Sequence, residues 1–175
     1  AIDKVLKRKP DLMVSGVNHG ANSSINVIYS GTMSAALEAA IEGVQSIGFS
    51  LCNYNHEADF EPAKHFIKKI AESILNKPMP HGTLLNVNIP VPEDGIIKGI
   101  KVCRQAKAKY GEHFEERTDP FGIKYYWMTG KFFNLDDAAD NDLSALSEGY
   151  ISVVPTQFDL TSYSTLNDLK VQLDS

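Results

Sequence analysis

Cysteine is nearly absent from the 175 residues: only Cys52 and Cys103 occur. Their spacing matches neither paired zinc ligands nor a disulfide framework, so they read as buried reduced thiols of a cytosolic protein. No run approaches the roughly 20 apolar residues of a membrane span. No basic segment leads into an apolar one near the start, so nothing reads as a secretory leader. The expectation is a cytoplasmic protein without a membrane partner. A basic stripe is missing as well: 17 Lys and Arg stand against 22 Asp and Glu, a formal net charge of −5. Polynucleotide binders draw much of their affinity from phosphate neutralisation, so a polynucleotide partner is excluded. A phosphate on a small molecule would have to be neutralised locally, by helix termini, a few cations or a bound metal.

What remains is an ordinary globular composition, 43% hydrophobic and 22% charged, which excludes disorder, collagen and coiled coil. The length fits one domain, 1–175, able to bury a real core. Short apolar runs alternate with helical patterns in the first half, the mark of α/β organisation. Strands are expected over 11–15, 47–51 and 84–89, the last stopped by Pro90-Val91-Pro92. Residues 32–42 read as a helix with Ala35, Ala36, Ala39 and Ala40 as its close-packing face and Gly43 just past its end. Ala63, Phe66, Ile67, Ile70, Ala71 and Ile74 follow amphipathic spacing. The opening Ala1-Ile2-Asp3-Lys4-Val5-Leu6 looks like the middle of a helix. The second half reads as hairpins, with strands over 99–104 and 123–129 and a polar segment, 107–122, between them. A short helix over 142–146, a strand over 150–154 and a weak final helix over 165–173 complete it.

The informative stretch is Ser15-Gly16-Val17-Asn18-His19-Gly20-Ala21-Asn22, followed by Tyr29-Ser30-Gly31-Thr32. It lies between a strand and a helix start, where open α/β sheets bind ligands. Ser30-Gly31-Thr32 offers two hydroxyls and successive N–H groups at a helix N-terminus, an anion site by geometry and dipole. Asn18 and Asn22 supply neutral carbonyl oxygens suited to hard divalent cations or to substrate hydrogen bonds. The loop fits neither G-x-x-x-x-G-K-[ST] nor G-x-G-x-x-G. Plain capping by Ser30 and turn chemistry by the asparagines explain the same residues without a ligand. Arg104 is expected to pair with Glu115 or Asp119, and the aromatic cluster Tyr125, Tyr126, Trp127, Phe132 and Phe133 to form core or interface.

The SGxNxGxN segment with YSGT closely resembles the core motif of the SurE family, the stationary-phase survival proteins. The likeness continues through Leu85-Asn86-Val87-Asn88-Ile89-Pro90, Ile100 to Gln105, Tyr125-Tyr126-Trp127 and Gly149 to Val153. The resemblance implies a three-layer α/β/α, Rossmann-like domain with a C-terminal β-hairpin extension. It implies a metal-dependent phosphomonoesterase that hydrolyses nucleoside 5′- and 3′-monophosphates using Mg²⁺ or Mn²⁺. Asn18 matches the metal-ligand asparagine; Ser30, Gly31 and Thr32 match the phosphate pocket, with Asn22 beside it. Asn18, Ser30 and Thr32 are thereby the expected catalytic residues. The family also implies a homodimer or homotetramer that exchanges a protruding hairpin, here residues 99–130, and a tail, here 150–175. Its members open with a strand ending in Asn-Asp-Asp, and this sequence begins after it. Asp136-Asp137 lies in a polar loop and is not expected to replace that pair. The chain is thus expected to lack its N-terminal strands and to be inactive alone. Two alternatives stand beside this: a non-catalytic oligomerisation or binding fragment, and a hydrolase using Ser30 as nucleophile with His19 as base.

Overall fold

The computed structural model describes residues 2–174. A short continuous apolar run after Pro10 forms β1 (Leu12–His19). It leads through a loop and a 3-10 turn (Ser24–Tyr29) into α1 (Gly31–Ile41) and β2 (Gln45–Leu51). There follow α2 (Glu61–Asn76), β3 (Thr83–Ile89) and β4 (Ile100–Val102). A long hairpin of β5 (Ala108–Thr118) and β6 (Lys124–Asn134) precedes α3 (Asp142–Ser147), β7 (Ile151–Gln157) and α4 (Leu166–Leu173).

Five strands make one sheet in the order β1-β2-β3-β7-β4. The pairs β1–β2, β2–β3 and β4–β7 are parallel and β3–β7 is antiparallel. Helices cover both faces, giving the three-layer α/β/α, Rossmann-like arrangement. On one face Phe66, Ile67, Ile70 and Ile74 of α2 pack onto Ile47, Phe49, Leu85, Val87 and Ile151. On the other, Met33, Ala36 and Ala40 of α1 pack against Leu84 and Val27. The small side chains of α1 let it lie close to the sheet. Gly43, at φ +70°, ends that helix. Its N–H bonds Ala40 O while Val44 N–H bonds Ala39 O, which closes the last turn with a left-handed residue.

Four expectations need correction. Ala35 is exposed and does not share the packing face of Met33, Ala36, Ala39 and Ala40. Residues 2–5 form a turn, not helix. The segment 107–122 is not a polar loop: most of it is β5, paired with β6 from Ala108↔Asn134 to Thr118↔Lys124. It is rich in charged residues, and pairing across the strands outweighs its weak strand propensity. The hairpin therefore spans 108–134 instead of 99–130, because Ile100–Val102 joins the main sheet. Trp127, Met128, Tyr126 and Phe114 are all more than half exposed, so the hairpin aromatics are not core of this chain.

Phe49 fills the α2 face of the sheet at 2% exposure. Phe49→Ala is expected to cost about 3–5 kcal/mol, read as a lower urea midpoint. Ala35→Ser, on the solvent side of α1, should stay within about 0.5 kcal/mol of the parent.

Candidate active site

The loop after β1 is placed by two glycines. Gly16 has φ +105°, and a Cβ there would lie 2.2 Å from the Phe49 carbonyl oxygen. Gly20 has φ +89°, with the Tyr54 ring where its Cβ would be. The bend at Gly16 accompanies a register shift between Ser15 and Asn18, after which Asn18 stands opposite Ser50. Asn18 is therefore on the strand and not in the loop where the Gly-rich pattern puts it. Pairing continues that row across the sheet as Asn18, Ser50, Asn88 and Ser152.

Asn18, Ser50 and Asn88 join Asn22 and Asn86 in one hydrogen-bonded network, whereas the buried Ser152 Oγ has no partner among the described residues. Asn18 Nδ2 donates to the carbonyls of His19 at 2.9 Å and Gly20 at 2.8 Å. Asn18 Oδ1 accepts from Ser50 Oγ at 2.9 Å and Asn22 Nδ2 at 3.0 Å. Asn22 Nδ2 also donates to Ser50 Oγ at 2.7 Å, and Asn22 N–H to Asn88 Oδ1 at 2.7 Å. Asn86 Nδ2 donates to the Asn22 carbonyl at 2.8 Å, and Asn88 Nδ2 to Asn86 Oδ1 at 3.0 Å. Burying so many amides is tolerable because each finds partners. Asn22 has thereby spent its donors on the sheet and has none for a phosphate; its free Oδ1 is an acceptor. In this structure its side chain and backbone anchor the loop to the sheet.

Ser30 is buried, and its Oγ accepts from Met33 N–H at 3.1 Å as the N-cap of α1. The N–H groups of Gly31 and Thr32 belong to the first turn, which has no intrahelical acceptors. That turn contains no acidic residue. A Cβ on Gly31 would meet nothing within 4 Å, so the ground above it is open. An open helix N-terminus without acidic residues, at the carboxyl end of parallel strands, has the dipole and the free N–H groups that suit an anion. His19 is not part of it. Its ring stacks edge-on against Phe60, 5.1 Å away, with His56 at 6.2 Å. Phe60 packs with the α2-side core, whereas Met33 of the α1 first turn lies in the other cluster. No hydrogen bond joins His19 to Ser30 among the described residues, where Ser30 Oγ serves Met33 N–H instead.

Two carboxylates that sequence reasoning misplaced or passed over brace this region. Arg104 does not meet Glu115 or Asp119. It forks onto Asp136, with bonds of 2.5 and 3.0 Å, and onto Asp140 at 2.8 Å. Glu115 pairs with Arg117, and Asp119 caps its own turn through Phe121 and Ile123 N–H. The Arg104 fork, followed by desolvation and by backbone N–H groups, sets the Asp136 carboxyl; the net effect holds it well below the usual carboxylate range. Asp142 is fully buried. It accepts from Ser24 N–H at 2.7 Å and Ala106 N–H at 2.9 Å, while Ser24 Oγ donates to Ala106 O at 2.9 Å. The site loop and the hairpin base are thus tied through one side chain. Cys52 and Cys103 are half-buried; burial, then Asp142, pushes their thiols up to about 12 and about 11, so they stay protonated. Asn86 and Asn88 were visible as asparagines in an apolar strand, a pattern that asks for buried partners.

No group of three or more His, Cys, Asp or Glu able to hold a metal occurs among the described residues. Both acceptor positions of Asn18 Oδ1 are used.

Comparison with known proteins points one way. The family model for "Survival protein SurE" matches residues 1–112. The "5'-nucleotidase SurE" of Flavobacterium johnsoniae is 62% identical over 169 residues, covering 97% of this chain and 65% of that protein. That of Phocaeicola vulgatus is 42% identical, covering 97% and 66%. The crystal structure of the SurE protein from Aquifex aeolicus superposes with a TM-score of 0.79 at 39% identity, covering 96% of this chain and 67% of that one. The chain spans about 65% of the length of the curated relatives it matches.

Removing Asp142 by Asp142→Ala leaves two buried N–H groups without an acceptor; a loss of about 2–4 kcal/mol is expected in chemical denaturation. Asp136 has a lowered folded pKa, so its contribution is full above its unfolded value of about 4 and fades as pH falls below that. Between pH 5 and pH 3 (about one unit either side of that value) the denaturation midpoint should fall more steeply in the parent than in Asp136→Asn.

Proposed function

The chain belongs to the SurE family, and from that premise we propose that it supplies the phosphate half of a metal-dependent phosphomonoesterase. The substrates are nucleoside 5′-monophosphates, with 3′-monophosphates as a second set, and the products are nucleoside and phosphate. The relatives named 5′-nucleotidase support the reaction class. One observation carries the local assignment: the first turn of α1 is open, without acidic residues, at the carboxyl end of β1 and β2.

The phosphate rests on the N–H groups of Gly31 and Thr32 and on the Thr32 hydroxyl, which donates to a phosphoryl oxygen. Ser30 holds the turn in shape as its cap and contributes its hydroxyl proton at the rim. Asn22 and Asn18 keep the neighbouring loop rigid, so that the turn needs no reorganisation on binding. The proposed cofactor of the whole protein is Mg²⁺ or Mn²⁺, with Asn18 as its neutral ligand. The residues of this chain do not fit such an ion by themselves: Asn18 Oδ1 is already engaged twice and no carboxylate cluster stands beside it. Divalent cations of this kind are held chiefly by carboxylates. These ligands are proposed to lie in the part of the family's length that this chain does not span. The chain alone is accordingly proposed to be inactive.

Assembly as a homodimer or homotetramer belongs to the same proposal. The hairpin carries Trp127, Met128 and Phe114 more than half exposed, and the tail exposes Leu160 at 92% and Leu173 at 79%. Exposed apolar surface of that extent favours burial against a second copy. The same surface favours the second reading, an oligomerisation fragment without catalysis. A cytoplasmic setting and a role in stationary-phase survival complete the proposal. No helix among the described residues is long and apolar enough to cross a membrane.

Phosphate release from nucleoside 5′-monophosphates with Mg²⁺ or Mn²⁺ separates the two readings. The whole protein should release phosphate and lose the activity with EDTA, while the 175-residue chain should release none. Thr32→Ala in the whole protein should lower kcat/KM by about 10–100-fold, the worth of one charge-assisted hydrogen bond. Failure of the whole protein to cleave any nucleoside monophosphate overturns the proposal.

A further inference from the structure

Beside Asn22 a cavity of about 820 Å³ opens between the 3-10 turn and the hairpin. Small-molecule sites commonly occupy about 300–1,000 Å³ and combine apolar walls with a few placed polar groups. Here the walls include Ile25, Tyr29, Tyr110 and Met128, and Asn26 is among the polar lining. Tyr29 directly precedes Ser30, so the cavity begins next to the first turn of α1. A nucleoside monophosphate whose phosphate sits on that turn has this space within reach for the rest of the molecule. Aromatic rings and a thioether suit the flat face of a base.

The polar contact inside the wall is specific. Tyr110 OH donates to Asn26 Oδ1 at 2.6 Å. The Tyr110 ring is itself held edge-on against Phe132, 5.3 Å away. This turns the carbonyl end of the Asn26 amide toward the hairpin. Asn26 Nδ2 makes no hydrogen bond among the described residues, so two N–H donors remain on a residue that lines the cavity. A half-buried amide with unmet donors selects a ligand that carries acceptors.

We infer that Asn26 is a specificity residue, donating from Nδ2 to a ring-nitrogen or carbonyl acceptor of the nucleoside base, and that Tyr110 is a positioning residue that fixes the amide. The inference rests on the phosphomonoesterase reading above and adds to it the group that separates nucleotides from other phosphate esters. A contact that merely pinned the hairpin would affect all esters alike.

The test compares kcat/KM for nucleoside 5′-monophosphates with kcat/KM for p-nitrophenyl phosphate, whose ring offers no base acceptors, in the whole protein. Asn26→Asp keeps an acceptor for Tyr110 and replaces the donor by an anion; Tyr110→Phe keeps the ring and frees the amide. The nucleotide-to-nitrophenyl ratio should fall about tenfold or more in Asn26→Asp, the worth of a lost hydrogen bond together with an anion set against the base acceptor. It should fall by a smaller factor in Tyr110→Phe. A smaller change than tenfold in Asn26→Asp, or equal losses on both esters, overturns the inference while leaving the phosphomonoesterase reading intact. A parent protein inert toward both esters overturns that reading and this inference with it.

Discussion

The row of amides and hydroxyls along one register of the sheet is the constraint on which the site depends. Asn18, Ser50 and Asn88 face one another from adjacent strands, and Asn22 is bonded to all three. Buried amides of this kind are costly unless paired, so the network has essentially one arrangement that satisfies it. That arrangement dictates the path of the loop from β1 to α1. A loop free of these bonds would pay ordering entropy each time a ligand bound. Here it is ordered beforehand, and the first turn of α1 is presented at the carboxyl end of the parallel strands.

A second constraint joins this loop to the hairpin. Asp142 bonds Ser24 in the loop and Ala106 at the hairpin base, and Arg104 gathers Asp136 and Asp140 beside it. The two carboxylates differ in character. Asp136 meets a guanidinium fork, a charged pairing with good geometry. Asp142 is held by backbone N–H groups alone. Together they fix the root of the hairpin relative to the loop before α1, and with it the wall that carries Tyr110.

The hairpin beyond that root is paired only with itself, and its aromatic side chains are largely exposed. The final helix buries none of its residues. A two-stranded ribbon has little stability alone, and both segments gain most by covering another surface. The site and these exposed arms therefore sit on one framework, with Arg104, Asp136 and Asp142 between them.

Much of the fold was legible because the apolar period is strong: Ile47 to Leu51 and Leu84 to Ile89 read as buried strands, and Ala63 to Ile74 as a helix. The capping hydroxyl of Ser30 and the open Gly31 were legible too, since helix starts have local chemistry. Ala35 was misplaced because an alanine run has no amphipathic contrast to orient it. The strand at 108–118 was hidden by its charges, since a two-stranded ribbon need not bury either face. The partners of Asn22 and Arg104 were hidden for a different reason. Short-range pattern identifies a polar side chain but not its partner, and these partners lie 66 and 32 residues away in Asn88 and Asp136. By itself the sequence determined the family, the strand–loop–helix junction and the residues at its turn. Only the tertiary structure decided which of those residues keep a free donor, because hydrogen-bond capacity is spent between strands that local sequence does not bring together.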